Sequence, residues 1–315
     1  MRPNLYFAIL FLIPTILFSQ NSNDKIVYLD SLWKETTKEN YKYYRVVKDY
    51  YSARDNYKVN DFYKSGTLYM EGNSSMKENL ARDGEFIFYY ENGNKKLIVN
   101  YSNSKLMGKI NSWYENGNKK LEGEYIDLDK EIFEELKIFQ FWINNKQTVI
   151  DGNGHYESED EFYSEKGEIK NGFRNGIWTG VSHKSNYTYT EEYQNGNMVS
   201  GISIDKDGTK HQYQKMQTSP KPKKGIDDFR NFVGKKFRYT AEAIKNKIKG
   251  KIIVQFIVNR EGEIVSPTIL KSLNPDLDNE AIRVVTKYKK WIPGEQRGRK
   301  INALYSLPIV LAGSE

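Results

Sequence analysis

The chain has 315 residues, of which 38% are hydrophobic and 28% charged, and it includes 24 tyrosines and 15 phenylalanines. It contains no cysteine, which excludes disulfides, thiolate metal sites, a cysteine nucleophile and a lipidated N-terminal cysteine. The formal net charge is +7, and residues 220–315 carry 20 Lys and Arg against 10 Asp and Glu, so the basic character belongs to the C-terminal part.

Residues 1–20 predict an export signal. Arg2 precedes a mainly apolar run from Leu5 to Phe18, and Ser19 and Gln20 follow it. A bilayer-spanning helix needs about 20 apolar residues, and this run has only about 14. The segment is therefore typical of a secretory signal peptide cleaved near Ser19. An uncleaved signal-anchor is the alternative.

Residues 21–60 predict an N-terminal β segment. The stretch from Tyr41 to Val47 combines aromatic and β-branched residues, which favour strands. A second strand is predicted around Tyr57 to Tyr63. The polar stretch Lys34 to Asn40 is predicted to be a connection.

Residues 61–213 repeat a short pattern: an aromatic pair, a turn and a return strand. The predicted turn residues lie at intervals of 22 to 29 residues, and such a period indicates a repeat array. These turn residues are Gly66, Gly93, Gly117, Asn145, Gly167 and Gly196.

The sharpest copies are Tyr89-Tyr-Glu-Asn-Gly-Asn-Lys-Lys-Leu97 and Trp113-Tyr-Glu-Asn-Gly-Asn-Lys-Lys-Leu-Glu-Gly-Glu-Tyr125. Asn-Gly supplies the positive φ of a two-residue hairpin turn, and lone hairpins are marginal in water, so neighbouring copies must stack. The copies resemble bacterial MORN repeats, which read Tyr-x-Asn-Gly and then Gly-x-Tyr. The resemblance implies a mainly β, antiparallel hairpin solenoid. The acidic stretch Asp127 to Leu136 is predicted to be a helical or loop insertion.

Residues 214–226 predict a linker. Thr218-Ser-Pro-Lys-Pro-Lys-Lys224 has no apolar anchor, and its prolines favour an extended form. Ser219 to Gly225 would reach about 20–25 Å. The linker would separate the array from a C-terminal domain at residues 227–315.

The C-terminal domain begins with two short predicted helices, Asp227 to Val233 and Ala241 to Lys247. A strand follows from Gly250 to Val258, with a turn ending at Gly262. Pro267 cannot donate to a ladder, so the second strand is predicted to lie at an edge or to be bulged. One face of the first strand is apolar and predicted to be buried: Ile252, Val254, Phe256 and Val258.

Helix and strand complete this domain. Asp278 is predicted to be the N-cap of a helix that Pro293-Gly294 ends. A last strand begins at Lys300, and Pro308 is predicted to end it. The buried helical stripe is predicted to be Leu277, Ala281, Val284, Tyr288 and Trp291.

The order of these elements resembles the C-terminal domain of the TonB energy-transducer family, over residues 227–311. The resemblance implies a small α+β domain that binds an extended peptide of an outer-membrane receptor on the backbone of its last strand. It also implies a location in the periplasm or outer envelope of a Gram-negative bacterium. The residues that carry the resemblance are Gly250-Lys-Ile-Ile-Val-Gln-Phe-Ile-Val258, Arg260-Glu-Gly-Glu-Ile264, Leu277-Asp-Asn-Glu-Ala-Ile-Arg283, Trp291-Ile-Pro-Gly294 and Tyr305-Ser-Leu-Pro-Ile309.

The peptide-binding strand is carried over to the last strand of this chain. The alternatives are a core strand with a covered edge, or pairing with a second copy in a homodimer. The chain departs from the family where Tyr239-Thr240 replaces Tyr-Pro, and its predicted linker is short. The residues expected to bind the peptide are Asn302, Ala303, Leu304, Tyr305, Ser306 and Leu307.

Other chemistry-bearing residues do not form a catalytic pattern. His155, His183 and His211 are spaced by 28 residues, but their local contexts differ. Asp151-Gly-Asn-Gly-His155 could hold a metal, although it is first of all a turn. No nucleophile or carboxylate pair lies beside a plausible base, so we predict no enzyme, no cofactor and no metal.

The lysine clusters Lys223-Lys224, Lys235-Lys236 and Lys245 to Lys251 predict a basic surface. This surface is either a solvated face or one that attracts an acidic receptor segment or anionic lipid. No nucleic-acid-binding motif accompanies the lysines, so nucleic acid is not an expected partner. The sequence predicts a non-catalytic exported adaptor with a protein partner such as an outer-membrane receptor or transporter. The resemblance links such an adaptor to TonB-dependent transport. The alternative is a surface or periplasmic glycan-binding, adhesive repeat protein.

Overall fold

The computed structural model describes residues 23–126, 135–289 and 291–311. The predicted export signal and most of the acidic insertion lie outside these residues. Sixteen strands are hydrogen-bonded in sequence order in an antiparallel sheet, and a small α+β region follows them. The predicted fold class is confirmed, whereas membership of the MORN family stays a prediction. The chain divides into two compact units, residues 1–147 and 148–315.

The first unit consists of antiparallel strands joined by hairpin loops. Two of its strands lie where the N-terminal segment predicts them. The strands are β1 (Lys25–Leu29), β2 (Tyr43–Val47), β3 (Tyr57–Tyr63), β4 (Leu68–Ser74), β5 (Arg82–Tyr89), β6 (Lys95–Ser102), β7 (Lys105–Trp113), β8 (Lys119–Ile126) and β9 (Glu135–Ile143), and β10 (Lys146–Ile150) contains the unit boundary.

Tyrosine hydroxyls connect successive hairpins of the first unit. The second aromatic residue of each pair donates a hydrogen bond to a backbone carbonyl oxygen of the next pair along the chain. This ladder satisfies the phenol group while its ring is half-buried, so it explains why the repeat carries two adjacent aromatic residues. The bonds run from Tyr63 to Tyr89 (2.9 Å), from Tyr90 to Trp113 (2.9 Å) and from Tyr114 to Trp142 (2.6 Å).

The hairpin turns are of two kinds. In the sharp repeats the loop has three residues, because the Tyr90 amide donates to the Asn94 carbonyl and only Gly93 has positive φ. The predicted two-residue turn is therefore wrong there, and Gly93 instead takes the left-handed position of a three-residue loop. Two-residue turns with positive φ at both positions occur elsewhere, as at Asn195 and Gly196.

Gly167 was predicted to be a turn residue, and this prediction is wrong. It lies inside strand Tyr163–Lys170. A Cβ atom at this position would overlap the ring of Trp178 on the neighbouring strand. Gly167 is thus needed because the ring of Trp178 packs directly against its backbone. The sequence around it resembled a turn only because Ser, Glu and Lys precede it.

The second unit begins with the remaining strands of the hairpin array. They are β11 (Asn153–Glu159), β12 (Tyr163–Lys170), β13 (Phe173–Ser182), β14 (Tyr187–Gln194), β15 (Asn197–Asp205) and β16 (Lys210–Tyr213).

The C-terminal domain of the second unit has a three-stranded sheet in the order β20-β19-β24, with helices on one face. Its elements are β17 (Gln217–Thr218), β18 (Lys221–Pro222), α1 (Ile226–Lys236), α2 (Ala241–Lys245), β19 (Gly250–Val258), β20 (Ile264–Lys271), α3 (Pro275–Thr286), β21 (Trp291–Ile292), β22 (Gly294–Gln296), β23 (Arg299–Ile301) and β24 (Ala303–Leu311).

The predicted core of this domain is confirmed. All four residues of the predicted β19 face have no exposed surface, and the helical stripe from Leu277 to Trp291 is buried. Phe229 of α1 contacts the ring of Trp291 at a centroid distance of 5.1 Å. Pro267 lies in β20, at an edge of the sheet and beside register shifts, as expected from its missing N–H group.

Three details differ from the sequence-based expectation. Asn274, not Asp278, is the N-cap of α3, since its side chain accepts from the amides of Asp276 and Leu277. The helix ends at Thr286, well before Pro293-Gly294. Pro308 lies inside β24 and does not end it.

The segment predicted to be a linker is paired. Thr218 lies opposite Glu295 of β22, and Pro222 lies opposite Trp291 of β21. Pro220 and Pro222 are buried. The prolines do favour an extended chain, but that extended chain docks on the C-terminal strands. Domain limits at 214 and 226 stay a proposal.

Candidate peptide-binding edge

Strand β24 is held along its whole length by β19, from Ala303 opposite Val258 to Leu311 opposite Gly250. Within the residues that the structure describes, β24 has no hydrogen-bonded strand on its other side. An edge strand of this kind presents backbone N–H and C=O groups that another chain can pair with.

Pro308 fixes which backbone groups point outward. Proline has no N–H group, so inside a strand it is tolerated where that position faces away from the ladder. Backbone direction alternates along a strand. Leu304, Ser306 and Val310 are each two or four residues from Pro308, so their backbone has the same direction. Their N–H groups therefore face the free edge.

Three of the four exposed side chains on this face of β24 are apolar, namely Leu304, Pro308 and Val310, and Ser306 lies between the first two. Leu304 is 61% exposed and Val310 is 74% exposed. Leu304 lies opposite the half-buried Ile257, and Pro308 lies opposite the half-buried Ile253. An extended peptide added to this edge would find apolar side chains of β24 next to its own.

The opposite face of β24 is anchored in the core. Leu307, Ile309 and Leu311 are buried, and the Tyr305 ring lies 4.9 Å from Trp291 between centroids. The side-chain oxygen of Asn302 accepts from the backbone amide of Arg260 at 3.2 Å, which fixes the start of the strand. These contacts hold β24 in an extended form before any peptide binds, which lowers the ordering cost of binding.

Five of the six predicted binding residues lie in β24 and divide into two sets. Leu304 and Ser306 lie an even number of residues from Pro308, so their backbone N–H and C=O groups point to the free edge. The backbone groups of Ala303, Tyr305 and Leu307 point to β19. Asn302 precedes the strand. Val310 lies outside the predicted stretch but shares the outward phase, and Pro308 in the sequence was the signal that could have identified it.

The C-terminal domain and the segment before it carry exposed lysines. All lysines of the three predicted basic clusters have exposed side chains. Lys251 lies on β19 directly opposite Val310, so positive charge is adjacent to one end of the free edge. Such charge attracts acidic partners at low ionic strength.

The three histidines and the Asp151–His155 motif do not come together in one site. His155, His183 and His211 each lie near a different carboxylate, of which the closest is Asp205 at 2.9 Å from His211. No group of three or more His, Asp or Glu side chains within the described residues could hold a metal ion.

An open cavity of about 660 Å³ lies in the first unit, lined by Asn92, Tyr114, Glu115, Asn116, Asn144 and Asn145. The lining is mostly polar, which would suit a sugar. However, the ring of Tyr114 is half-buried, and the ammonium group of Lys120 lies 5.4 Å from its centroid. This ring is not a free stacking face.

Arg297 is a buried charged residue outside the β24 edge that the sequence-based prediction missed. It lies in the turn between β22 and β23, is 5% exposed, and its Nε lies 2.7 Å from a carboxylate oxygen of Glu191. The signal was present in the turn sequence, where arginine precedes Gly298.

Comparison with known proteins bears on the C-terminal domain. Residues 235–310 match the family model described as Gram-negative bacterial TonB protein C-terminal. No curated protein matches the chain. Among the described helices, none has the length and apolar character to cross a membrane. The matched residues run from the end of α1 to β24, so this part of the chain is similar to the TonB C-terminal domain.

Proposed function

We propose that this protein is a non-catalytic adaptor of the Gram-negative cell envelope whose C-terminal domain captures an extended peptide. The peptide would add to β24 as a further antiparallel or parallel strand, with its backbone bonded to the outward groups of Leu304, Ser306 and Val310. The observation that carries this proposal is the unpaired edge of β24 within the described residues.

The similarity of residues 235–310 to the TonB C-terminal domain supports a protein partner. The partner would be a segment of an outer-membrane receptor or transporter, and the adaptor would act in TonB-dependent transport. The exposed lysines favour a partner segment with acidic residues. The hairpin array would serve as the scaffold that carries the domain.

The test uses the full exported chain and synthetic peptides that cover the periplasmic N-terminal segments of receptors from the same bacterium. We expect Leu304→Pro to weaken peptide binding about tenfold or more, because it removes one backbone donor and adds a ring at the edge. Titration calorimetry measures the change. The substitution has the same phase as the native Pro308, so the pairing of β24 with β19 is preserved.

Leu304→Ala is the matched control, because it shortens the same side chain and keeps the N–H group. It should bind within about threefold of the wild type. Equal binding by the Leu304→Pro variant would contradict strand addition. If a second copy of the chain occupies the edge, Leu304→Pro will instead convert a dimer to a monomer in sedimentation experiments.

A further inference from the structure

The turn between β22 and β23 has an unusual first residue. Arg297 has φ of 49° and Gly298 has φ of 74°, so this is a two-residue turn with positive φ at both positions. Such turns favour Asn or Asp before Gly, because few other residues tolerate the left-handed conformation. The other two-residue turns of this kind within the described residues begin with Asn103, Asn144, Asp151, Asn171 and Asn195. Turn chemistry gives no reason for arginine here.

The side chain of Arg297 has a specific partner set in the hairpin array. Its Nε donates to Oε1 of Glu191 at 2.7 Å, and its guanidinium carbon lies 3.6 Å from the ring centroid of Tyr189. Glu191 also accepts hydrogen bonds from the hydroxyls of Tyr193 at 3.0 Å and Tyr213 at 2.8 Å. We call Tyr189, Glu191, Tyr193 and Tyr213 the guanidinium socket.

The backbone of the turn is held as firmly as the side chain. The Arg297 amide donates to the Met216 carbonyl at 2.7 Å, and its own carbonyl accepts from the Ser203 hydroxyl at 2.8 Å. A Cβ atom on Gly298 would lie 3.0 Å from the Gln212 carbonyl oxygen. The turn therefore fits closely against β15 and β16.

The socket is incomplete without the C-terminal domain. Glu191 has no exposed surface, and a buried carboxylate without a cation is strongly destabilising. Elsewhere in the array the cation comes from the array itself, as in the pairs Arg174–Glu165 at 2.6 Å and Arg45–Asp61 at 2.7 Å. For Glu191 the cation in direct contact is Arg297, which lies 106 residues further along the chain, whereas Arg174 of the array interacts with it only at longer range.

The electrostatics of the pair are consistent with a permanent charge. Burial disfavours the charged guanidinium, but the adjacent Glu191 carboxylate outweighs burial and raises the pKa of Arg297. Burial also raises the pKa values of Tyr193 and Tyr213, so both hydroxyls stay protonated and donate to Glu191. A lysine could supply the charge but not the planar stacking on Tyr189.

We propose that the end of the hairpin array is a binding site for a guanidinium group, which Arg297 fills within the same chain. Arg299 supports the contact, with its Nε 2.6 Å from Asp205 and its guanidinium carbon 4.2 Å from the Tyr187 ring centroid. Filling the site docks the C-terminal domain on the array. The lysine-rich segment 214–226 is then a docked connection and not a free tether.

The first test replaces Arg297 by asparagine in the full chain. Arg297→Asn improves the intrinsic chemistry of the turn, so a purely local role predicts that the variant is as stable as the wild type or more so. The proposal predicts the opposite, namely release of the domain. Limited trypsin digestion at Lys215, Lys223 and Lys224 reports release, and cleavage there should be at least about tenfold faster than in the wild type.

Arg260→Asn is the matched control, because it removes an exposed arginine from another loop of the same domain. Its cleavage rate should equal that of the wild type. A cleavage rate for Arg297→Asn no faster than that of the wild type would overturn the proposal. Peptide binding to β24 is a separate measurement, so this result does not depend on the proposed function.

The second test fills the vacated socket from solution. Arg297→Gly removes the whole side chain and suits positive φ. Ethylguanidinium at millimolar concentration should slow amide hydrogen exchange in residues 214–226 of Arg297→Gly, whereas ethylammonium at the same concentration should not. Arg297→Gly combined with Glu191→Gln should lose the protection. Equal protection by both cations, or protection by neither, would overturn the claim that the site selects a guanidinium group.

Discussion

Strand glycines in this protein make room for aromatic rings. Where a glycine lies beneath a ring of the adjacent strand, the ring lies flat on the sheet and covers the backbone, which gives a single layer of strands its buried surface. Any larger residue would push the ring away. The pairs are Gly72 with Phe86, Gly167 with Trp178, Gly180 with Tyr189 and Gly201 with Tyr213.

We expect Gly167→Ala to lower the free energy of unfolding by about 1–3 kcal/mol, the usual cost of overpacking. Trp178 cannot move aside easily, because it is 1% exposed and its indole N–H donates to the Glu168 carbonyl at 3.1 Å. Urea unfolding followed by tryptophan fluorescence measures the change.

Gly234→Ala is the matched control, because it is the same substitution at a glycine that no ring covers. Gly234 lies in α1, and nothing lies within 4 Å of an added Cβ atom. Alanine there should raise the free energy of unfolding by about 0.5–1 kcal/mol, because it restricts the unfolded chain. If both alanines had the same effect, the ring above Gly167 would not be the cause.

Among the elements, α3 shows how a helix start is chosen. Asn274 precedes Pro275, and proline is well placed in the first turn because it needs no hydrogen-bond acceptor there. Asp278 was the predicted cap, but it lies one turn inside the helix. Its carboxylate accepts hydrogen bonds from the Ser272 hydroxyl at 2.5 Å and from the Leu273 backbone amide at 3.2 Å. Asp278 therefore fixes the approach of β20 to the helix.

Replacement of the cap tests this assignment. Asn274→Ala removes the acceptor for the amides of Asp276 and Leu277 and should lower the free energy of unfolding by about 1 kcal/mol. Asn274→Asp keeps an acceptor and should stay within about 0.5 kcal/mol of the wild type. Denaturant unfolding measures both. Equal stability of all three proteins would show that the side chain does not cap the helix.

At the scale of the whole molecule, half-buried and buried tyrosines make stability sensitive to alkali. Burial, together with the hydrogen bond to Glu71, raises the pKa of Tyr89 to about 12. Burial and the hydrogen bond to Asp228 raise the pKa of Tyr288 to about 12. Burial also raises the pKa values of Tyr63 and Tyr189. Each of these phenols is held neutral by the fold.

The sign of the effect follows from linkage. Below about pH 10, the usual pKa of tyrosine, both states keep the phenol proton, and the stabilisation is fully present. Between about pH 10 and pH 12 the unfolded chain loses protons that the folded chain keeps, so the free energy of unfolding should fall as pH rises. Urea midpoints across this range measure the decline.

Tyr89→Phe and Tyr288→Phe separate this effect from the titration of lysines. Each variant removes one phenol proton and should decline less steeply with pH than the wild type over the same range. Unchanged slopes in both variants would mean that these two tyrosines keep ordinary pKa values in the folded protein.

Much of the fold follows from local patterns in the sequence. The period-2 apolar face of Ile252 to Val258 and the helical spacing of Leu277 to Val284 depend only on strand and helix geometry, and both are buried as predicted. Gly93 and Gly117 mark turns because positive φ is a local requirement. Gly167 was misassigned because a glycine beneath a ring has no local signature.

The candidate site was predicted less completely than the fold. The last strand could be located from its resemblance and its alternation, and Pro308 in the sequence could have indicated the phase of its outward backbone groups. Whether an edge is unpaired depends on which strands are neighbours, and the order β20-β19-β24 is a property of the folded domain. Which residues of Asn302 to Leu307 bind a peptide stays a prediction.

The sequence by itself determined the repeat of aromatic pair and turn, the basic C-terminal part and the order of the longer helices and strands in the last domain, because these depend on neighbours along the chain. The tertiary structure decided that residues 217–222 are paired with β21 and β22 and that Arg297 meets Glu191. These contacts join residues as far as 106 positions apart, and such proximity exists only after the chain has folded.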